Sequence, residues 1–66
     1  MKVTVNGDIT ELPDGTSVAE LLASSGLSDK RVAVELNRVI IQRDAYGSAF
    51  LKDGDMLEIL SFVGGG

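Results

Sequence analysis

The sequence predicts an α+β domain: strands at both ends of the chain, grouped around one short helix. Three observations carry this. Lys2-Val3-Thr4-Val5 alternates polar and apolar residues, and Met56-Leu57-Glu58-Ile59-Leu60-Ser61-Phe62-Val63 forms an apolar strand-like run with Leu57 and Ile59 inward. Asn6-Gly7 directly follows the first strand, and both residues tolerate the positive φ that a two-residue hairpin requires. Ser17-Val18-Ala19-Glu20 fits a capping box and leads into Val18, Leu21 and Leu22 at helical spacing. Strands about a single helix define the class.

The first hairpin pairs Val5 with Asp8, Val3 with Thr10 and Met1 with Leu12. This puts Met1, Val3, Val5 and Leu12 on one face and leaves Ile9 on the other. Pro13-Asp14-Gly15 reads as a turn, since Pro presets φ and Gly supplies the permissive position. Gly26 is the expected left-handed cap of a helix of about two turns, which is too short to persist without packing on the sheet. Val32-Ala33-Val34-Glu35-Leu36 is the third strand, with Val32, Val34 and Leu36 on one face. Asn37-Arg38 turns it into Val39-Ile40-Ile41, pairing Leu36 with Val39 and Val34 with Ile41. Gln42 to Lys52 has no period; Tyr46, Phe50 and Leu51 are its expected anchors on the core. Asp53-Gly54-Asp55 is a turn rather than a calcium loop, because it lacks the further spaced oxygen ligands and runs straight into a strand.

Sixty-six residues suffice for one domain, and a chain of this size buries only about 60% of its unfolded surface. There is no Cys and no His, which removes disulfides, Cys/His metal sites and thiol or imidazole catalysis. Ten acids against six bases give a net charge of −4. That is the wrong sign for nucleic acid and suits a basic partner surface. No basic-then-apolar leader opens the sequence and no apolar run nears membrane-spanning length, so a cytoplasmic setting is expected.

The run from Met56 leads into Gly64-Gly65-Gly66. The expected organisation is a domain over 1–63 with a flexible arm over 64–66 that ends in a carboxylate. Glycines free such an arm to take unusual backbone angles and to thread a channel too narrow for side chains. With Leu57 and Ile59 inward, Met56, Glu58, Leu60 and Phe62 point outward on the last strand; Met56, Leu60 and Phe62, with Val63 beyond them and Ile40 and Ile9 beside them, form an expected partner-binding patch. Arg31, Arg38 and Arg43 are candidate charges at its rim.

The strand order along the chain, with its Gly-Gly end, resembles the β-grasp of the ubiquitin-like proteins and their relatives the sulfur carriers. Within that group the chain is similar to the ThiS family of thiamine-biosynthesis sulfur carriers. The resemblance rests on Val5-Asn6-Gly7, Thr16-Ser17-Val18-Ala19-Glu20-Leu21-Leu22, Val32-Ala33-Val34-Glu35-Leu36-Asn37, Asp53-Gly54-Asp55 and Phe62-Val63-Gly64-Gly65-Gly66. It spans essentially the whole chain. The family often has a proline where this chain has Gln42, and a tryptophan near Tyr46. The molybdopterin-synthase small subunit (MoaD) shares the fold and the Gly-Gly end but is usually longer.

The resemblance implies a mixed sheet in the order 2-1-5-3-4. It also implies that the protein is a co-substrate and not an enzyme. An E1-like, ThiF-like adenylating enzyme would use ATP to activate the Gly66 carboxylate. A persulfide donor such as a cysteine desulfurase would displace AMP to leave a thiocarboxylate, and a ThiG-like thiazole synthase would receive the sulfur. The protein itself would bind no cofactor. Four alternatives stay open: a carrier for molybdopterin, cysteine or tRNA sulfur; covalent protein tagging as by ubiquitin; a non-reacting interaction domain; and, least favoured, an autonomous enzyme.

Overall fold

Asn6 and Gly7 both take positive φ, +50° and +87°, and so close the turn that their sequence requires. They join β1 (Lys2–Val5) to β2 (Asp8–Glu11) with Val5 opposite Asp8 and Val3 opposite Thr10. Met1 and Leu12 extend the ladder by two bonds: the Leu12 amide donates to the Met1 carbonyl and the Met1 amino group to the Leu12 carbonyl. The computed structural model describes residues 1–27 and 31–61 of the chain.

Helix α1 (Val18–Ser24) begins at the expected capping box. The Glu20 amide donates to the Ser17 hydroxyl at 3.1 Å, and the Ser17 amide donates to the Glu20 carboxylate at 2.9 Å. The helix ends in a Schellman motif centred on Gly26 at φ +74°. The Leu27 amide bonds the Leu22 carbonyl and the Gly26 amide bonds the Ala23 carbonyl, which satisfies two carbonyls the helix leaves open.

Strand β3 (Val32–Leu36) returns through Asn37-Arg38 to β4 (Val39–Ile41), with Leu36 opposite Val39 and Val34 opposite Ile41. Both turn residues again have positive φ, +52° and +71°. A single 3-10 turn at Arg43–Ala45 occupies the aperiodic segment before β5 (Met56–Ser61). The five strands form one sheet in the order β2-β1-β5-β3-β4. β1 and β5 run parallel at its centre, although some fifty residues separate them in the chain. This is the expected β-grasp order.

The core lies between the sheet and α1. Val3, Val18, Leu21, Leu22, Val34, Leu51, Leu57 and Ile59 are buried, with Met1, Val5, Leu12, Val32, Leu36 and Tyr46 packed against them. One expectation fails at its edge. Phe50 is 59% exposed. It bridges to Ser17 in an extended stretch, where neighbouring side chains point to opposite sides, so burying Leu51 turns Phe50 outward. Val39 shares a face with Leu36 but is exposed, because β4 is the outermost strand and Val39 lies beyond the buried cluster.

The Asp53-Gly54-Asp55 turn uses its carboxylates locally. Asp53 accepts from the Lys2 amide at 2.7 Å, and Asp55 accepts from the Lys52 amide at 2.7 Å. Gly54 sits at φ +88°. These bonds make the segment the connector that delivers the chain to the start of β5.

Candidate functional site: the central strand and its open face

β5 is hydrogen-bonded on both sides, and residues 62–66 follow directly from it. Phe62, Val63, Gly64, Gly65 and Gly66 lie outside the described residues, so the strand that leads into the arm is the site that can be built. Its alternation decides its roles. Leu57 and Ile59 point into the core, which turns Met56, Glu58 and Leu60 to the opposite, open face of the sheet.

Register places the neighbours on that face. Met56 lies opposite Thr4, whose own partner across β1–β2 is Ile9. Leu60 lies opposite Ala33. Glu58 lies opposite Glu35, which in turn lies opposite Ile40. Met56, Leu60, Ile40 and Ile9 are 52–76% exposed. The structure therefore places the described apolar members of the expected patch, Met56, Leu60, Ile40 and Ile9, on one open face. Arg31, Arg38 and Arg43 are exposed. Of these three, Arg38 lines a shallow concavity on this face with Glu35, Asn37, Met56 and Glu58.

Two asparagines hold β5, one in its second half at Ile59 and one at its first residue, a role that hairpin chemistry alone does not reveal. β1 stops pairing after Val5, and the Asn6 side chain takes over. Its Nδ2 donates to the Ile59 carbonyl at 3.1 Å, and its Oδ1 accepts from the Ile59 amide at 2.7 Å. The amide thus imitates the peptide group of one more strand residue. The Asn6 backbone amide also donates to the Leu57 carbonyl at 2.9 Å. Asn37 acts similarly at the first residue: the Met56 amide donates to its Oδ1 at 3.0 Å, and its Nδ2 donates to Asp55 at 3.0 Å. Each asparagine occupies the first position of a positive-φ turn, which few residues with side chains tolerate. A spacing signal for this second role does not exist, because Asn6 and Ile59 are 53 positions apart.

An α+β sheet in β-grasp order, with a Gly-Gly-Gly segment leading off its central strand, defines the ubiquitin-like class to which the small carrier proteins belong. The chain belongs to the ThiS family, whose model matches residues 3–66. It is 43% identical over 63 residues to the sulfur carrier protein ThiS of Bacillus subtilis, covering 94% of this chain and 96% of that one. It is 36% identical over 66 residues to a thiazole synthase of Magnetococcus marinus, where the match takes in all of this chain and spans only 20% of that protein's length. The crystal structure of the thiamine biosynthesis protein ThiS from Geobacter metallireducens superposes with a TM-score of 0.84 at 38% identity, covering 100% of both chains.

Proposed function

We propose that this protein is a sulfur carrier of thiamine biosynthesis whose Gly66 carboxylate is the reacting group. The observation that carries this is the match of residues 3–66 to the ThiS family, with Gly64-Gly65-Gly66 following the doubly paired strand β5 after only Phe62 and Val63 in the sequence. A free carboxylate is a poor electrophile. The carboxylate oxygen attacks the α-phosphorus of ATP on an E1-like enzyme, giving an acyl-adenylate and releasing pyrophosphate. The terminal sulfur of a donor persulfide, supplied for example by a cysteine desulfurase, attacks the acyl carbon and expels AMP. A second thiol then cleaves the resulting acyl disulfide, leaving the thiocarboxylate on Gly66 and a disulfide on the donor side.

The chain's own contribution is mechanical. With no Cys and no His, it offers no thiol or imidazole to the reaction. Gly66 leaves both faces of its carbonyl open, and Gly64 and Gly65 let the arm extend into an active site. β5, pinned by its neighbours and by Asn6 and Asn37, gives the arm a rigid root. Met56, Leu60 and Ile40, with Phe62 and Val63 beyond them, form the docking patch. The acceptor of the sulfur is thiazole synthase, in line with relatives of that name that match this domain along a fifth of their length. The setting is cytoplasmic, where thiols stay reduced; no helix among the described residues is long and apolar enough to cross a membrane.

Gly65→Val tests the threaded arm. The variant should keep the circular dichroism and unfolding midpoint of the wild type and lose ATP–pyrophosphate exchange on the adenylating enzyme. Exchange at the wild-type rate would remove the arm from the mechanism.

A further inference from the structure

The sheet's open face carries a like-charge pair that its own fold does not explain. Glu58 at the centre of β5 lies directly opposite Glu35 of β3, and residues so placed have Cβ atoms only about 5 Å apart. Like charges in this position destabilise a sheet. Elsewhere on the same face, register sets Lys2 opposite Glu11, a pair of opposite sign. Among the described residues no Lys or Arg side chain lies within ion-pair distance of either Glu35 or Glu58. Among the described residues, the one base lining their concavity is Arg38, which stands at the hairpin turn that forms one end of it. Met56, Leu60 and Ile40 surround the two carboxylates with exposed apolar surface.

We propose that Glu35 and Glu58 together receive an arginine side chain from the adenylating enzyme, while Met56, Leu60 and Ile40 seal the contact from water. This rests on the sulfur-carrier reading and adds the chemistry of recognition to it. A guanidinium presents a fork of donors that two adjacent carboxylates can share. The apolar collar lowers the local dielectric and strengthens the contact once it is made. The occupant is the activating enzyme because β5 leads straight into the arm, so a partner holding this face also holds the root of the segment it must thread. A second copy of this chain fits poorly, since face-to-face packing would bring four carboxylates together, and the net charge of −4 opposes it further.

The signature is a trade-off. In the double variant Glu35→Gln, Glu58→Gln the repulsion is gone, so the free domain should unfold at higher urea than the wild type. The same variant should raise the KM for this chain in ATP–pyrophosphate exchange about tenfold or more, with kcat unchanged, and should flatten the salt dependence of KM. Asp44→Asn, an exposed acid in the 3-10 turn, should change neither quantity. An unchanged KM and salt dependence in the double variant would overturn the proposal. So would stability and affinity falling together, which is the pattern of a structural role. Self-association of the wild type that strengthens in the double variant would assign the face to a second copy and overturn it equally. A folded wild type that supports no exchange at all would instead overturn the sulfur-carrier reading, and this proposal with it.

Discussion

Replacing Asn6 by glycine separates two roles that one residue combines. Glycine adopts the φ of +50° at this position without strain, so the hairpin keeps its turn while the side-chain amide is lost. The variant removes the bonds to the Ile59 amide and carbonyl, at 2.7 and 3.1 Å, both partly buried. Each such bond contributes about 0.5–1.5 kcal/mol net, so their loss costs about 1–3 kcal/mol. The greater freedom of glycine in the unfolded chain adds a cost of about 0.5–1 kcal/mol, and relief of the left-handed conformation offsets it by a similar amount. A domain of this length has a total stability of roughly 3–10 kcal/mol, so the loss is a sizeable fraction of it. It should appear as a Tm lower by roughly 4–8 °C per kcal/mol. Hydrogen exchange supplies the local readout: the Ile59 amide should lose protection, while the Leu51 amide, buried and bonded to the Thr16 carbonyl outside the β3–β5 ladder, changes only with global stability. Asn37→Gly should cost less, since its bonds to Met56 and Asp55 are exposed. An Asn6→Gly protein within about 0.3 kcal/mol of the wild type, with Ile59 still protected, would refute the clamp and leave Asn6 as a turn former only.

Two further outcomes are expected. Arg38 holds φ +71° without being glycine, so Arg38→Gly should raise the urea midpoint by an equivalent of about 0.5–1 kcal/mol; a loss of stability would mean that its side chain contributes to the fold. Leu60→Thr keeps strand propensity at an exposed position and should move stability by no more than about 0.5 kcal/mol. It should weaken binding to the adenylating enzyme severalfold, as measured by calorimetry, and undiminished binding would remove Leu60 from the docking patch.

The sequence made some features of this fold plain and hid others, and the difference is physical. Both hairpin registers, the capping box at Ser17 and Glu20, and the inward aim of Leu57 and Ile59 were legible because turn chemistry and a two-residue period act between near neighbours. The parallel pairing of β1 with β5 was not, because no local signal links Thr4 to Met56; it came only from the resemblance to a family. Phe50 misled because an aromatic in an aperiodic segment looks like an anchor, while its neighbour Leu51 takes the buried side. Val39 follows the correct period and still faces water, because the pattern does not say where the cover of the core ends. The candidate site was half legible. Outward alternation on β5 identified Met56 and Leu60, but the meeting of Glu58 with Glu35, and the reach of Asn6 to Ile59, depend on pairings fixed only in three dimensions.

The central claim is that sulfur is carried on Gly66, and intact mass tests it most directly. The protein is incubated with the adenylating enzyme, ATP, a cysteine desulfurase and cysteine, then treated with an alkylating agent and measured before and after. Exchange of one carboxylate oxygen for sulfur nearly equals in mass the addition of one oxygen to Met1 or Met56, so the alkyl label decides. The account predicts a single label that fragmentation places on Gly66 and that is absent without ATP. A chain that stays unlabelled under these conditions, with its glycines intact, would contradict the account and favour a non-reacting interaction domain.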